Sequence, residues 1–523
     1  MNNKVITAAQ AAVLVKDQDT VAINGFGFGF GFPEELAKAI EERYLSSGEP
    51  KNLNLLFASG CGDGGHGAFG LNHLAHKGLL QQVIGGHLGL AQDLSDMIVH
   101  NDVAAYNFPQ GVITHLFRAI AGGKPGILSQ VGLETFADPR VEGGKMNAGA
   151  NRDLIQLIKV KEKDYLFYPS MPIQIALIRG TTADEEGNIS IEQEGVRLET
   201  YHIAAAAKNS GGIVIAQVER ITKKGTLKPL AVEIPGILVD HIVVAKPENQ
   251  MMNVHTIYNP SFTGEVVEPL GMMKQLPMDI RKVIAKRCAR ELSLDTVINL
   301  GIGVPEGIAS VAVEEGISHR LTMSVEAGAI GGIPGGKCNL GAASNVEALV
   351  GQPNIFDFYD GGGLDIAFLG LAQCDASGNI NVSKFKGKMV GCGGFVNITQ
   401  NTRHVVFCGS FTAGKSDIRV EDGKLNIISD GPYTKFVKAV EQITFSGSYA
   451  AKSGQRVLYV SERAVFELRD HHLVLIEIAP GVDLQKHILD KMDFQPEIAE
   501  NLNFMDASIF QDQRMNLWED SSC

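Results

Sequence analysis

The chain has 523 residues, of which 45% are hydrophobic and 20% are charged, as expected of a globular protein that buries large cores. Its formal net charge of −13 argues against nucleic-acid binding through a general positive field, so an anionic ligand needs local donors such as helix N-termini. The seven cysteines are scattered and contain no CxxC pair, which indicates reduced thiols rather than disulfides or a zinc cage.

Targeting and metal-binding signals are also missing from the sequence. No apolar run reaches the roughly 18 to 20 residues of a membrane-spanning helix. The opening segment MNNKVITAAQAAVLVKD lacks the layout of a signal peptide, and the 14 histidines show no metal-ligand spacing. We therefore expect a cytoplasmic protein with no metal, no membrane partner and no nucleic-acid partner.

The first predicted elements are a strand from Asp19, a turn of four Gly-Phe pairs at residues 25–32, and a helix that contains EELAKAIEERYL. The same order recurs in DTVINLGIGVPEGIASVA from Asp295, where the glycine-rich turn again precedes Pro-Glu and a helix. The first copy is four residues longer between Asp-Thr-Val and Pro-Glu, and the extra residues lie in the Gly-Phe turn. Neither turn matches G-x-G-x-x-G, which argues against a dinucleotide site.

Two further matches follow in the same order along the chain. IALIRGTTADEEGNISI from Ile175 matches IAFLGLAQCDASGNINV from Ile366, and NSGGIVIAQV matches NTRHVVFCGS more weakly. A repeated order of this kind indicates a duplicated domain. We predict an N-terminal domain at residues 1–245, a polar linker at 246–277 and a C-terminal domain at 278–523.

Several predicted strands, including GGIVIAQV, RLTMSVE and HVVFCGS, are apolar almost throughout, and RKVIAKRCARELS has helical spacing of its apolar residues. Such strands are typical of parallel sheets that helices cover on both faces. The predicted fold class is α/β, with two homologous open domains and mainly parallel sheets. Ligands of such sheets bind beyond the carboxyl ends of the strands, where the glycine clusters lie.

Glu326 is an isolated carboxylate at the end of the strand RLTMSVE. From Ala327 to Val346 the only charged residue is Lys337, and the glycines in between leave room for a substrate. A carboxylate in this position can act as a nucleophile and divide an acyl transfer into two easier steps. The alternative is a structural glutamate that forms an ion pair or caps a helix.

Two glycine-rich turns offer unshielded backbone donors. In KGKMVGCGGFVNI, N–H groups beside Gly391, Gly393 and Gly394 can donate to a developing oxyanion, although a tight turn alone explains the glycines. Cys392 in this turn has no neighbouring histidine and is a weak candidate for a nucleophile. In GIGVPEG, N–H groups ahead of the helix can bind a phosphate or an amide of pantetheine.

Four segments together resemble the family I CoA-transferases: SVEAGAIGG, GCGGFVNITQN, FDFYDGGGLD and EIAPGVDLQKHILDKMDF. The resemblance is closest to single-chain propionate and acetate CoA-transferases and covers nearly the whole chain. In that family the two halves correspond to α and β subunits, in agreement with the internal repeat. The resemblance implies an enzyme that moves CoA between a short-chain acyl-CoA, such as acetyl-CoA or propionyl-CoA, and a free short-chain carboxylate. It also suggests a homo-oligomer, for example a tetramer.

The family resemblance implies a ping-pong mechanism through Glu326. The glutamate attacks the acyl-CoA, an acyl-glutamyl anhydride forms, and the released CoA thiolate then gives an enzyme–CoA thioester. A second carboxylate reverses these steps. CoA is thus a co-substrate and a covalent intermediate, and no cofactor is bound permanently. The nucleophile must be ionised, and we expect Glu326 to have an ordinary pKa and the site to exclude water.

The resemblance also assigns binding residues. It places the oxyanion hole at the backbone amides of Gly393 and Gly394, with Gly394 favoured. The segment NFPQGV matches one whose glutamine faces the substrate carboxylate, which indicates Gln110, although a surface turn is the alternative for this residue alone. The turn that contacts CoA corresponds to Gly301, Ile302, Gly303, Val304 and Pro305.

The sequence departs from the family at two places. Ala327 stands where serine or asparagine is usual, which affects the positioning of the substrate. The Gly-Phe turn is the second departure, and we hypothesise that Phe28 and Phe30 form a wall of the acyl pocket. If the turn is extended, all four phenylalanines point to one side. A plug in the inter-domain core is the alternative.

Three other functions compete with CoA transfer. An acyl-CoA hydrolase would use the same fold and glutamate but admit water. A sugar-phosphate isomerase or sugar-sensing regulator of related topology would lack the pair formed by Glu326 and GCGGF, and a non-catalytic CoA-binding protein would lack turnover. The hydrolase is therefore the main alternative. Acetate, propionate, butyrate, lactate and acetoacetate all fit the sequence as substrates.

Overall fold

A computed structural model describes residues 4–269, 275–385 and 387–518. Its main features are a seven-stranded sheet in the first half of the chain and a ten-stranded sheet in the second half. Helices pack against both sheets, so the predicted α/β class with two mainly parallel sheets is confirmed. Within the described residues, no helix has both the length and the apolarity needed to cross a membrane.

All strand pairs of the first sheet are parallel. Val21 and Ile23 enter one buried core while Ala22 enters another, which explains why these strands are apolar at almost every position. The strands in spatial order are His241–Val244, Ile213–Val218, Ile175–Arg179, Thr20–Ile23, Leu53–Phe57, Leu80–Gly85 and Ala104–Asn107. The helices of this half are Ala8–Leu14, Glu34–Ser47, Gln92–Val99, Gln110–Ala121 and Thr200–Asn209.

The second sheet has a parallel centre, and antiparallel pairs flank it on both sides. Its strands in spatial order are Ala348–Leu349, Ala329–Ile330, Leu321–Ser324, Thr296–Leu300, Ile366–Gly370, His404–Cys408, Arg456–Val460, Ala464–Arg469, His472–Ile478 and Glu497–Phe504. The helices of this half are Ile280–Ala289, Gly307–Glu314, Gln352–Asp360, Phe395–Gln400, Gly447–Ser453 and Leu484–His487.

Short strands outside the two large sheets form small sheets that the sequence analysis did not predict. Two of them have three strands: Gly126–Ser129 with Lys163–Pro169 and Gln156–Val160, and Ile189–Ser190 with Thr182–Asp184 and Arg220–Thr222. The two-stranded ones are Ile333–Pro334 with Ala343–Ser344, Gln373–Cys374 with Ile380–Asn381, Lys384–Phe385 with Lys388–Met389, Thr412–Ala413 with Tyr433–Thr434, and Asp417–Glu421 with Lys424–Ser429. Short 3₁₀ helices are Gly70–Leu74, Pro229–Ala231, Gly236–Leu238, Pro247–Asn249, Ser318–Arg320, Lys337–Asn339, Leu489–Lys491 and Ala507–Phe510.

Local sequence determines several helix ends. The Asp279 side chain accepts the N–H groups of Arg281 and Lys282 and so caps the helix Ile280–Ala289. The helix Glu34–Ser47 ends at Gly48, which has a φ of +72° and therefore the left-handed conformation that glycine adopts without strain.

The internal repeat reappears in the topology of the two sheets. In the first sheet, Thr20–Ile23 lies between Leu53–Phe57, the next strand along the chain, and Ile175–Arg179. In the second sheet, Thr296–Leu300 lies in the same way between Leu321–Ser324 and Ile366–Gly370, and Ile175 and Ile366 begin the matched segments. The register is equivalent too, because Thr20 pairs with Asn54 and Thr296 pairs with Leu321. Asn54 and Leu321 are therefore equivalent positions, and Ser59 and Glu326 each lie five residues further along the chain. Ser59 is thus the first-half counterpart of Glu326.

The Gly-Phe turn is folded back rather than extended, so the expectation that all four phenylalanines share one side is wrong. The N–H of Phe26 donates to the carbonyl of Phe30 at 2.8 Å, and the N–H of Phe30 donates back at 3.1 Å. The reversal needs the positive φ angles of Gly27, Gly29 and Gly31, which are +58°, +121° and +65°.

Part of the predicted linker is packed against the domains. The guanidinium of Arg179 donates to the carbonyls of Gln250 and Met251, and Met252 and Phe262 belong to a buried cluster with Phe30. Residues 264–269 are exposed. Residues 270–274 lie outside the described part of the chain, and the linker bounds of 246 and 277 remain a prediction.

Candidate active site

A cavity of about 350 Å³ lies between the two halves of the chain. Its walls come from segments that follow strands of both sheets at their carboxyl ends, where α/β folds bind ligands. The first half contributes Phe26, Gly27, Phe28, Ser59, Gly60, His87, Leu90 and Gln110. The second half contributes, among others, Asn299, Val325, Glu326, Leu340, Val390 and Gly394.

Glu326 lies in this cavity, in a turn two residues after the strand Leu321–Ser324 ends. It forms no ion pair with any described residue and caps no helix among the described elements, so the structural alternative for this glutamate is not met. Burial raises the pKa of its carboxyl group, and its own backbone N–H opposes that shift. The expectation of an ordinary pKa is therefore wrong, because the cavity walls desolvate the carboxylate.

Gly394 is the predicted oxyanion donor nearest to Glu326. A Cβ atom built on Gly394 would lie 3.3 Å from Cγ of Glu326, and the Gly394 N–H donates to no residue that the structure describes. The N–H of Gly393 is already donated to the carbonyl of Gly86 at 2.8 Å. The Gly393 N–H is therefore engaged in this conformation, whereas the Gly394 N–H has no acceptor among the described residues, and the oxyanion hole at Gly393 and Gly394 stays a prediction.

Gln110 is the first residue of the helix Gln110–Ala121 and lies in the cavity wall rather than in a surface turn. The residue is 2% exposed, and its amide Nε2 has no hydrogen-bond partner in the part of the chain that the structure describes. Its backbone N–H donates to the carbonyl of Gly393 at 3.0 Å, which fixes it beside the glycine loop. A buried amide donor without a partner is costly unless a ligand or water satisfies it.

Comparisons with known proteins assign the family. A family model described as coenzyme A transferase matches residues 5–245. A caffeate CoA-transferase of Acetobacterium woodii is 47% identical over 98% of this chain and 98% of its own, and the acetate CoA-transferase YdiF of Escherichia coli O157:H7 is 42% identical over 98% and 96%.

The chain belongs to the family I CoA-transferases. The crystal structure of YdiF from E. coli O157:H7 as a thioester complex with CoA agrees with this assignment. It covers 98% of this CoA-transferase and 97% of the YdiF chain, with a TM-score of 0.93 and 40% identity.

The predicted CoA-contacting turn of this CoA-transferase is only partly in the cavity wall. Gly301 and Ile302 line the cavity, whereas Gly303, Val304 and Pro305 do not. The N–H of Gly303 is donated to the Glu306 carboxylate at 3.0 Å, and Val304 packs against a hydrophobic core. Pro305 lies two residues before the first residue of the helix Gly307–Glu314.

The two phenylalanines predicted for the acyl pocket have different environments. Phe28 lines the cavity together with Phe26. Phe30 is fully buried and packs edge-on against Phe262, with ring centroids 6.3 Å apart. The structure thus places Phe30 in a core rather than in the cavity wall, as the alternative of a core plug implies.

Cys392 is a structural thiol in this arrangement. Its Sγ lies 3.7 Å from the carbonyl of Phe108 and 3.4 Å from that of Gly393, and burial raises its pKa. A thiol with a raised pKa is a poor nucleophile. Among the described residues, no group of three or more His, Cys, Asp or Glu could hold a metal ion.

Several site residues were missed by the sequence analysis. The Tyr359 hydroxyl donates to Oγ of Ser324 at 2.9 Å, and Asn299 donates to the Ser324 carbonyl at 3.1 Å, so both support the strand that leads to Glu326. His87 and Ser59 line the cavity from the first half. The repeat could have identified Ser59, since it is the counterpart of Glu326. No sequence motif singled out His87.

Proposed function

We propose that this CoA-transferase moves CoA between an acyl-CoA and a free carboxylic acid through a thioester on Glu326. The observation that carries the proposal is the Glu326 carboxylate, which lies in the cavity, has no ion-pair partner among the described residues, and neighbours Gly394, whose N–H is free of described acceptors. A desolvated carboxylate that is not paired with a cation keeps its negative charge available for attack, so it can act as a nucleophile.

The first half-reaction begins when a carboxylate oxygen of Glu326 attacks the carbonyl carbon of the acyl-CoA. The Gly394 N–H stabilises the oxyanion that develops, the carbon–sulfur bond breaks, and CoA leaves as a thiolate. The thiolate then attacks the glutamyl carbonyl carbon of the resulting anhydride. The acyl group leaves as a free carboxylate, and CoA stays on Glu326 as a thioester.

The second half-reaction repeats these steps in reverse with another carboxylic acid. Its carboxylate attacks the glutamyl thioester and releases CoA thiolate, which attacks the acyl carbonyl of the new anhydride. Glu326 is regenerated as a carboxylate, and the new acyl-CoA leaves. No proton is transferred in either half, so the site needs no general acid or base.

The substrates follow by analogy with the named relatives. The names acetate CoA-transferase and caffeate CoA-transferase differ in the acid, and carboxylic acids as a class are common to both. We propose acetyl-CoA and propionyl-CoA as donors, with Gln110 binding the free carboxylate and Phe28 bordering the acyl group. The turn at Gly301 and Ile302 is the proposed contact for CoA. We also propose a homo-oligomer, which light scattering at several concentrations will test.

The decisive test is intact-mass spectrometry after brief incubation with acetyl-CoA. The wild type is expected to gain the mass of CoA minus water, and added propionate is expected to remove this adduct. Glu326→Ala is expected to show no adduct. An unmodified wild type that steadily hydrolyses acetyl-CoA would support the hydrolase instead. An unmodified wild type without turnover of several acyl-CoAs would refute both functions.

A further inference from the structure

His87 is a polar side chain of the cavity for which the proposed mechanism has no role. Its imidazole is half-buried in the wall and forms no hydrogen bond with a residue that the structure describes. Asn299, another polar group of the wall, is bound to the Ser324 carbonyl, and Ser59 accepts the amide of Gln352 at 3.3 Å. His87 thus differs from these two residues, because neither nitrogen of its ring has a hydrogen-bond partner among the described residues.

Backbone contacts hold His87 directly beside the glycine loop that carries Gly394. Its neighbour Leu88 donates its N–H to the carbonyl of Val390 at 2.7 Å, and its neighbour Gly86 accepts the N–H of Gly393 at 2.8 Å. His87 itself forms an antiparallel bridge with Gly391. The backbone of His87 is therefore held in place beside the loop that carries Gly394.

Gly393 leaves open space beside the imidazole. A Cβ atom built on Gly393 would lie 3.8 Å from Cδ2 of His87 and would meet no atom nearer than 3.6 Å. Because no side chain occupies this position, a small ligand can approach the ring there.

Gln110 flanks the same glycine as His87. The amide Oε1 of Gln110 lies 3.6 Å from the position of a Cβ atom at Gly393, close to the 3.8 Å for the His87 ring. The Nε2 donor of Gln110 also lacks a partner. Two side chains with unused N–H donors therefore border the open space at Gly393, and a carboxylate has two oxygens that can accept from both.

Burial suits the imidazole to binding a carboxylate, because it lowers the pKa of His87 to about 4 and keeps the ring neutral. A neutral ring donates one N–H without forming a fixed ion pair. The carboxylate must keep its negative charge to attack the glutamyl thioester, so a neutral donor orients it and leaves it nucleophilic. The other titratable groups that line the cavity are Glu326, Glu306 and Cys392.

We propose that His87 is a second anchor for the free carboxylic acid, donating a ring N–H to its carboxylate alongside the amide of Gln110. This inference rests on the proposed transfer through Glu326, whose second half-reaction requires a bound and oriented carboxylate. His87 then determines the affinity for the acid rather than the formation of the enzyme–CoA thioester.

The test compares His87→Leu, which removes the donor, with His87→Gln, which keeps an N–H donor, and with His319→Gln, an exposed histidine elsewhere. With propionyl-CoA as donor and acetate as acceptor, His87→Leu is expected to raise the KM for acetate about 10- to 100-fold. This corresponds to about 1.4 to 2.8 kcal/mol. The kcat is expected to change less than about threefold, and His87→Gln is expected to recover most of the affinity.

A second readout does not depend on turnover. Acetate is expected to raise the Tm of the wild type and of His319→Gln, but not that of His87→Leu. If His87→Leu forms the thioester normally and keeps the wild-type KM for acetate and the wild-type Tm response, the proposal is overturned. A wild type without thioester would refute the transfer mechanism, and the Tm response to acetate would still decide the role of His87.

Discussion

Glu326, the proposed nucleophile, is buried in the cavity wall. The desolvated carboxyl group has a raised pKa, and only its ionised form is a nucleophile. An exposed glutamate loses its charge only near pH 4.3. In the empty cavity, Glu326 therefore becomes protonated at a higher pH than an exposed glutamate does.

We predict that the rate constant for thioester formation falls as the pH drops through this raised pKa. Rapid quenching of the wild type with acetyl-CoA between pH 5 and pH 8, followed by intact-mass analysis, measures this constant. The unfolding temperature at each pH serves as the control for loss of structure. A rate constant that stays flat down to pH 5 would show that the cavity does not desolvate the carboxylate.

Gly394 has to be glycine because of its distance from Glu326. A methyl group there would lie 3.3 Å from Cγ of Glu326 and from Cδ1 of Ile398, which is tighter than most side-chain contacts. Gly394→Ala keeps the backbone N–H but is expected to push it away from Glu326 and so to lower kcat by about 10- to 100-fold. This is less than the roughly 10²- to 10³-fold that follows outright loss of one oxyanion donor. Steady-state kinetics measures the loss. Gly122→Ala is the matched control, because a methyl group there meets only ordinary contacts of 3.5 Å or more.

At the scale of elements, the Gly-Phe turn has two functions. Phe28 borders the cavity and Phe32 is buried in one core, whereas Phe26 lies in the cavity wall and also packs in the buried cluster that contains Phe30. Three glycines with positive φ reverse the backbone between them, so the side chains diverge. The sequence predicted a turn at this place, but alternation alone could not show the reversal, since it depends on backbone angles that only glycine adopts readily.

Substitutions of Phe30 and Phe28 are expected to have different effects, one on stability and the other on substrate specificity. Phe30→Ala should lower the free energy of unfolding by about 3 to 5 kcal/mol, as for other buried phenylalanines, and leave the ranking of acids unchanged. Phe28→Ala should change the ranking of kcat/KM among acetate, propionate and butyrate with little effect on stability. Denaturant unfolding and a panel of acids measure both. An unchanged ranking in Phe28→Ala would exclude it from the acyl pocket.

The regular elements of both halves could be predicted because their apolar patterns are strong. The strands at Ile213–Val218, Leu321–Ser324 and His404–Cys408 and the helix Ile280–Ala289 appear where the sequence predicted them. The small sheet that includes Gly126–Ser129 was missed, because its strands are short and half-exposed and lack a continuous apolar run.

At the scale of the whole molecule, the cavity requires both halves of the chain. Glu326 and Gly394 come from the second half, and Gln110 and His87 come from the first. Contacts such as the N–H of Phe136 to the carbonyl of Ile443, at 2.8 Å, join the halves directly. Sequence motifs could identify Glu326 and Gln110 separately. They could not identify His87, because its contacts to the loop at Val390 join residues about 300 positions apart.

We predict that the chain can be expressed as two polypeptides that still assemble the candidate active site. Residues 1–264 and 265–523, co-expressed as two polypeptides, should assemble and retain at least about a tenth of the intact activity, because the cut lies in exposed chain beyond the packed part of the linker. Either fragment alone should be inactive. Co-purification and thioester formation measure the outcome. Activity of the second fragment alone would contradict a cavity built from both halves.

The equivalence of Ser59 and Glu326 in the two halves bears on the proposal that a duplicated chain uses one nucleophile. If both copies carried a carboxylate at this position, two like charges would line one small cavity, and each would make ionisation of the other harder. One group would then hold a proton near neutral pH and lose its nucleophilicity. Replacing one carboxylate by an uncharged hydroxyl removes that repulsion. The asymmetry of the duplicated halves thus spares Glu326, the proposed nucleophile, this repulsion from a second carboxylate.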